Sequence, residues 1–210
     1  MTGVDWKTIQ IDDTFKTADQ NMAFDGQLAH DLRPNEHIER FYVWPAPGIT
    51  YSYKQSSPAA WHHVDQAQRI TGGGLVFHTP GDIVFSMVGW NNDPRFPLKM
   101  KAKLTQIATR IRHALIHSGV ALDTVTSEPT TNPTYCATYP TPFEISSNGQ
   151  KILGLTIRQF KTHWLVQGIV HTQPTHPSLI TSAHPPIQLC LDSEELLIEL
   201  TKYRDPIKLI

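Results

Sequence analysis

Three consecutive glycines, Gly72 to Gly74, constrain the fold more than any other feature of this 210-residue sequence. Glycine has no side chain to hold a ligand away from the backbone, and it reaches positive φ without strain. A loop of this kind can point its N–H groups at a phosphate or a carboxylate. Arg69 adds a permanent positive charge suited to the same anion. The alternative is a flexible turn between two strands, but the arginine before and the apolar run after the glycines favour a ligand-binding loop.

The residues after the glycines predict the strand that anchors this loop. Leu75, Val76 and Phe77 form a short apolar run, and His78 follows it. A histidine at this position could serve as a general base or donate to a ligand. A histidine at a strand end is more often simply hydrogen-bonded within the structure, so both interpretations stay open.

Predicted strands outnumber predicted helices. The strands cover residues 8–11, 39–45, 49–55, 75–77, 82–88, 143–146, 151–157 and 164–170. Because Pro47-Gly48 is turn material, the strands at 39–45 and 49–55 are predicted to pair as a hairpin. Asn148-Gly149 predicts a second hairpin, in which Ser146 lies opposite Lys151. Residues 56–68 are predicted to form a polar loop or a short helix.

Three helices complete the prediction, and the elements run in blocks rather than in strict alternation. The first covers residues 18–32 with Thr17 as its cap, the second covers 98–118 and ends before Gly119, and the third opens at Asp192. This order favours an α+β fold, with helices on one face of a largely antiparallel or mixed sheet. No linker is long enough to divide the chain, so residues 1–210 are expected to form a single domain.

Charge and composition exclude several classes of partner. A net charge of −1 argues against electrostatically driven binding to nucleic acid or to an anionic membrane. No run approaches the ~18 apolar residues of a membrane span, and the N-terminus lacks the pattern of a signal peptide. We therefore expect a cytoplasmic protein. Its two cysteines, Cys136 and Cys190, cannot form a zinc site unaided, and no metal site is expected.

Lys151 and Gly154 are candidates for binding chemistry on the second predicted hairpin. The register places the side chain of Lys151 on the same face as Leu153 and Leu155, so it lies either at a rim or in a cleft. Gly154 permits close backbone approach by a ligand. The alternative is a solvated lysine just after a turn.

The two cysteines receive different interpretations. Cys136 lies in a proline-rich loop, where its thiolate could attack a thioester if a nearby cation lowers its pKa. Otherwise it is a small buried apolar residue. Cys190 lies in an apolar run and is expected in the core or in a strand.

Trp44 and Tyr51 could line an apolar tunnel, although aromatic residues in strands more often pack in the core.

Four segments, in this order, resemble the lipoate–protein ligase / octanoyltransferase family, whose fold is also that of biotin–protein ligases. They are Met22-Ala23-Phe24-Asp25, Phe41-Tyr42-Val43-Trp44, Arg69-Ile70-Thr71-Gly72-Gly73-Gly74-Leu75-Val76-Phe77-His78 and Gly149-Gln150-Lys151-Ile152-Leu153-Gly154. The resemblance runs from about residue 20 to 170. It implies a biotin/lipoate protein ligase-like catalytic domain, here without the accessory C-terminal domain of the bacterial ATP-using ligases.

The resemblance also implies a site and an activity. The glycine loop wraps a lipoyl or octanoyl group, and Lys151 binds the activated acyl carbonyl or phosphate. The product is an amide on a lysine of a lipoyl domain of a 2-oxoacid dehydrogenase or of the glycine-cleavage H protein. The substrate-binding residues implied are Arg69, Thr71, Gly72, Gly73, Gly74, Val76, His78, Trp44, Gly154, Leu155 and Thr156.

The resemblance leaves three activities open. One octanoyltransferase branch carries a nucleophilic cysteine at a spacing close to that of Cys136, which lies 15 residues before Lys151. Such an enzyme takes the acyl chain from an acyl carrier protein thioester and needs no ATP. The second possibility is an ATP-dependent ligase that forms lipoyl-AMP with ATP and Mg²⁺, in which Cys136 is incidental. The third is a non-catalytic lipoyl or lipoyl-domain binder.

Departures from the family pattern motivate the third possibility. Leu155-Thr156 stands where the family usually has Ser-Ala, and Gln167 stands where a histidine is common. Gln68 replaces a second arginine, and Ser52 replaces a glycine.

Overall fold

The computed structural model describes residues 7–12, 16–124, 143–180 and 186–202, with backbone only for the first of these segments. Its nine strands are β1 Lys7–Asp12, β2 Glu36–Val43, β3 Gly48–Tyr51, β4 Asp65–Gln68, β5 Val76–His78, β6 Ile83–Trp90, β7 Ile145–Ser147, β8 Gln150–Gln159 and β9 His163–Val170. The helices are α1 Ala18–His30, α2 Met100–His117 and α3 Ser193–Lys202. Single 3-10 turns cover Ala59–Trp61 and Pro177–Leu179.

The strands form two sheets. The large sheet has the order β1-β2-β6-β9-β8-β7, and the small sheet has the order β4-β3-β5. One pair in each sheet is parallel, β1 with β2 and β3 with β4, and the other pairs are antiparallel. The predicted α+β class with a mixed sheet is therefore confirmed.

The helices cover both faces of the large sheet, so the expectation that they share one face is wrong. Helix α1 packs with Tyr42, Val84 and Ile169 on one face, beside the small sheet. Helices α2 and α3 pack on Phe85 and other apolar side chains of the opposite face. Strands β2, β6 and β9 are buried on both faces, and alternate residues of one strand therefore serve two separate cores.

Local signals in the sequence place several element ends correctly. Thr17 caps α1 in a reciprocal pair with Gln20, whose amide N lies 3.3 Å from the Thr17 hydroxyl oxygen. Gly119 follows α2 with φ of +76°. Asn148-Gly149 sets the predicted register, with Ser146 opposite Lys151.

The predicted hairpin between residues 39–45 and 49–55 does not form. Strand β2 pairs with β1 and β6, whereas β3 pairs with β4 and β5 in the small sheet. Pro45 and Pro47 between them have no N–H to donate to a ladder, and the chain leaves the large sheet there. Strand β4 lies where a loop or short helix was predicted, because its sequence Asp65-Gln66-Ala67-Gln68 is polar and lacks an apolar alternation.

Cys190 is exposed and lies outside the strands, which overturns its expected place in the core or in a strand. The segment around it is extended, and its apolar neighbours alternate with it. Ile187 is buried and Leu189 and Leu191 are partly buried against the core, so Cys190 faces outward.

Neighbouring residues of β2 carry a buried ion pair on each face of the sheet. Arg40 Nη1 lies 2.7 Å from Asp25 Oδ1 of α1, on one face. Glu39 accepts on the other face from Arg110 of α2, whose Nη2 lies 2.7 Å from Glu39 Oε2. Burial alone would raise the pKa of Glu39, but the charge and hydrogen bonds of Arg110 and the hydrogen bond of His37 outweigh it and hold that pKa at about 2.

None of the described helices combines the length and the apolar character that crossing a bilayer requires.

We expect Arg110→Ala to lower the free energy of unfolding by about 3–5 kcal/mol, because it leaves the Glu39 carboxylate buried without its partner. In the wild type, Glu39 contributes stability above pH 4.5 that is lost as the pH falls towards 2, and the variant should lose this dependence. Urea denaturation at several pH values measures both effects. Lys101→Ala, at an exposed position of α2, is the control and should change stability by less than about 0.5 kcal/mol. Equal stability of the two variants would contradict the assigned role of the ion pair.

Candidate active site

A cavity of about 490 Å³ lies between the glycine loop and the strand that carries the lysine segment. One wall is formed by Gly72, Gly73 and Gly74, with Val76 and His78 of β5 beside them. The other wall is formed by residues 154–157 of β8, with Gly168 and Ile169 of β9. The two sequence motifs therefore meet at one cavity, although they lie about 80 residues apart in the chain.

Over the described residues, the β8 wall is a strand edge without a pairing partner from Gly154 onward. Strand β7 pairs with β8 only at Gln150, Lys151 and Leu153, with an irregularity between Ile145 and Ser146. From Gly154 onward, β8 pairs on one side only, with β9, within the described residues. Backbone groups on such an edge can hydrogen-bond to a ligand, and Gly154 adds no side chain to block its approach.

Most of the lining is apolar. The apolar side chains among the described lining residues are Met22, Val76, Val84, Leu104, Phe143, Leu155, Ile157 and Ile169. The polar side chains among them are Thr50, Arg69, His78, Glu144, Thr156 and Gln167. A cavity of this character suits an apolar chain with one polar end.

Arg69 stabilises the glycine loop by hydrogen bonds to its backbone carbonyl groups. Its Nη1 donates to the Thr50 carbonyl oxygen at 2.7 Å, and its Nη2 donates to the carbonyl oxygens of Gly74 at 2.7 Å and Gly72 at 3.2 Å. Anion binding by Arg69 stays a prediction. The contacts described here assign it a positioning role, since they tie the carbonyl groups at Gly72 and Gly74 to one guanidinium and so fix the curvature of the loop.

Gly72 and Gly73 differ in backbone conformation and in the space available for a side chain. Gly73 has φ of +92°, and a Cβ there would lie 3.7 Å from Arg69 Nη2. Gly72 is outside the left-handed region, and a Cβ there would meet no atom within 4 Å. Among the described residues, no hydrogen-bond acceptor takes the amide N–H of either glycine. These two amides are therefore available to a carbonyl or phosphate oxygen.

His78 is buried at the cavity wall and held in place by two neighbours. Its Nε2 lies 2.8 Å from the Thr50 hydroxyl oxygen, and its ring stacks on Trp44 with centroids 4.0 Å apart. Burial lowers its pKa well below the usual 6.5, and the charges of His171 and Arg69 add to this effect. The ring is therefore neutral near pH 7. Trp44, predicted to line the site, lies behind His78 and is not among the lining residues described here.

Lys151 is paired with an acidic side chain at the cavity. Its Nζ donates to Oε1 of Glu144, and the two side chains are 9% and 7% exposed. Glu144 lines the cavity, and Lys151 contacts Glu144 without being among the described lining residues. The pairing with Glu144 was not predicted, although a signal was present: Glu144 precedes Ser146 by two residues, Ser146 lies opposite Lys151, and such diagonal neighbours are within reach of long side chains.

Of the other predicted site residues, Leu155 and Thr156 line the cavity. Thr71 is fully buried, and its hydroxyl donates to Gln167 Oε1 at 2.7 Å. Cys136 lies outside the described residues. Over the described part of the chain, no three His, Cys, Asp or Glu side chains are grouped as metal ligands would be.

The sequence interpretation missed a buried polar cluster beneath the site. Asp25 Oδ1 accepts from Arg40 at 2.7 Å and from Ser86 at 2.8 Å, and Asp25 Oδ2 accepts from Gln167 Nε2 at 2.7 Å. Burial raises the pKa of Asp25, against the opposing charge of Arg40 and the hydrogen bonds of all three donors. One signal was present: Asn21 and Asp25 fall on the same helix face as the buried Met22 and Leu28, where apolar residues are expected.

We expect Gly73→Ala to destabilise the fold by about 1 kcal/mol, because its backbone has left-handed φ. Gly72→Ala should leave stability almost unchanged, because its methyl group meets open space and its φ is not strained. Thermal unfolding of the two variants measures the difference. An equal loss in both variants would show that the loop has another shape in solution.

Residues 17–177 match the family model described as the lipoyl protein ligase A/B catalytic domain. No curated protein sequence gives a significant match. Among solved structures, the chain is similar to lipoate-protein ligase A bound with ATP, with TM-score 0.68 and 16% identity over 95% of this chain and 84% of that one.

Two further structures are similar. One is a bi-partite lipoate protein ligase from Thermoplasma acidophilum, described with its E2 lipoyl domain, with TM-score 0.65 and 15% identity over 96% of this chain and 82% of that one. The other is P. falciparum LipL1 in complex with lipoate, with TM-score 0.62 and 18% identity over 93% of this chain and 60% of that one. These likenesses show the fold. The match to the family model covers most of the chain, and the chain therefore belongs to the lipoyl protein ligase A/B catalytic-domain family of lipoylation enzymes.

Proposed function

We propose that this enzyme transfers an octanoyl or lipoyl group from an acyl carrier protein thioester to a lysine of a lipoyl domain or of the glycine-cleavage H protein. The observation that carries the proposal is the shared cavity. Within the described residues, a glycine loop with available amides forms one wall, an unpaired strand edge forms the other, and the lining between them is largely apolar. The volume and the largely apolar lining of the cavity suit an acyl chain with one polar end.

The chemistry takes place in two steps. The thiolate of Cys136 attacks the thioester carbonyl carbon, and the carrier thiol leaves as the acyl–Cys136 thioester forms. The amine of the target lysine then attacks this carbonyl, an amide forms, and the Cys136 thiol is regenerated. In both steps negative charge develops on the carbonyl oxygen. The Lys151 ammonium and the amides of Gly72 and Gly73 are the groups that we assign to stabilise it.

The second candidate is an ATP-dependent ligase that forms lipoyl-AMP from lipoate. It is favoured by the similarity to a lipoate-protein ligase A that was solved with ATP. Magnesium is often held by one or two carboxylates together with substrate phosphates. Glu144 is a carboxylate on the cavity wall that could take this part, beside the Lys151 ammonium.

A lipoyl domain is the acceptor that we favour. The structurally similar Thermoplasma acidophilum ligase is described with an E2 lipoyl domain. A lipoyl domain is therefore the first acceptor to supply in an activity assay.

Incubation with octanoyl acyl carrier protein should leave an octanoyl adduct on the enzyme, detected by intact mass. Cys136→Ser should abolish the adduct, because serine lacks the thiolate. Cys190→Ser is the matched control, since Cys190 is an exposed free cysteine, and it should keep the adduct. If lipoyl-domain modification instead requires lipoate and ATP and survives Cys136→Ser, the transferase assignment is wrong and the ligase assignment stands.

Lys151→Ala should lower the rate of lipoyl-domain modification at least about 100-fold under either mechanism, because it removes the charge that we assign to stabilise the developing oxyanion. The variant should still fold cooperatively, with a lower melting temperature, because Glu144 loses a buried partner. Lys161→Ala, an exposed position in the turn between β8 and β9, is the control and should keep full activity. Unfolding of Lys151→Ala would instead show that the pair with Glu144 is structural.

A further inference from the structure

Gln167 lies at the centre of a polar row that crosses the large sheet. In the strand register Arg40 is opposite Ser86, Ser86 is opposite Gln167, and Gln167 is opposite Thr156. The row runs across four strands on the face covered by α1, and Thr156 at its end lines the cavity. The row therefore leads from a buried ion pair to the proposed site.

The hydrogen bonds of Gln167 have a fixed direction. Its Nε2 donates to Asp25 Oδ2 at 2.7 Å, and its Oε1 accepts from the Thr71 hydroxyl at 2.7 Å. The Asp25 carboxylate, which also accepts from Arg40 and Ser86, requires a donor at this position. The amide oxygen of Gln167 must then face Thr71, so the Thr71 hydroxyl must donate. The lone pairs of the Thr71 hydroxyl oxygen therefore point away from Gln167.

This bond joins the two walls of the cavity. Thr71 begins the glycine loop, which connects β4 and β5 of the small sheet. Gln167 lies on β9 of the large sheet. Arg158 of β8 makes a second link, from its Nη1 to the carbonyl oxygen of Ile70 at 2.7 Å. The Gln167 link is fully buried, and Thr71 is 0% and Gln167 4% exposed. Buried bonds of this kind are less often broken by solvent than exposed ones.

The geometry points to Gln167 as a positioning residue, which, together with Asp25, fixes the start of the glycine loop against the large sheet and so sets the width of the acyl cavity. Gln167 has this positioning role in the ligand-free protein. Only the identification of the ligand as an acyl group rests on the proposed function. Gln167 acts through Thr71 and the loop amides, and no contact between Gln167 and the reacting atoms is required.

Thr71→Val tests the inference because valine keeps the shape of threonine and removes only the donor, leaving the Gln167–Asp25 bond in place. Amide hydrogen exchange of residues 70–74 in the ligand-free full chain should become about tenfold faster. Thr71→Ser keeps the hydroxyl and should restore slow exchange. Both variants should melt within a few degrees of wild type, since the loop alone is loosened.

The binding measurement uses lipoate as the probe, by calorimetry. Thr71→Val and Gln167→Met should each weaken lipoate about tenfold, and in turnover assays the change should fall on KM more than on kcat. If Gln167→Met does not fold, Thr71→Val decides the question. Unchanged exchange and unchanged affinity in Thr71→Val would overturn the inference. If wild-type protein binds no lipoate and transfers no acyl group, the proposed function fails, while the exchange result still decides the positioning role.

Discussion

The rest of the structure depends on the buried carboxylate of Asp25. It accepts hydrogen bonds from Arg40, Ser86 and Gln167, which lie on three adjacent strands of the large sheet. A charge removed from water is costly unless it is paired and its remaining lone pairs are satisfied. The position of helix α1 in which all three donors reach Asp25 is therefore favoured over positions that leave the carboxylate without them. The position of α1 in turn places Met22 in the cavity wall and fixes Gln167, which holds Thr71 at the start of the glycine loop.

Features governed by local rules could be predicted from the sequence. Thr17 caps α1, Gly119 ends α2, and Asn148-Gly149 sets a hairpin register, each through contacts within a few residues. The small sheet could not be predicted in this way. Asp65 to Gln68 forms a strand only because β3 lies beside it, and that position depends on where Pro45 and Pro47 release the chain.

In the candidate site, too, the features set by local sequence could be predicted, and those set by long-range contacts could not. The glycine loop and Lys151 were visible because their residue types are unusual at those positions. The side chains and carbonyl groups that hold them in place were not predicted. Arg69 was interpreted as an anion ligand, yet its hydrogen bonds described here go to Thr50 and to the loop carbonyls, and Lys151 contacts Glu144. Gln167 drew notice only as a departure from a family pattern. Its role depends on Asp25 and Thr71, which are more than 90 residues away in the chain.

The edge of β8, which has no pairing partner from Gly154 onward among the described residues, has a consequence for the behaviour of the protein in solution. A strand edge that can receive a ligand can also receive a strand of another molecule, and such edges are common starting points of aggregation. Here the open stretch begins at Gly154 and faces the glycine loop across the cavity. A bound acyl group would occupy the space that an intruding strand needs. Saturation with ligand would therefore protect the protein in storage and at high concentration, in addition to any gain in thermal stability.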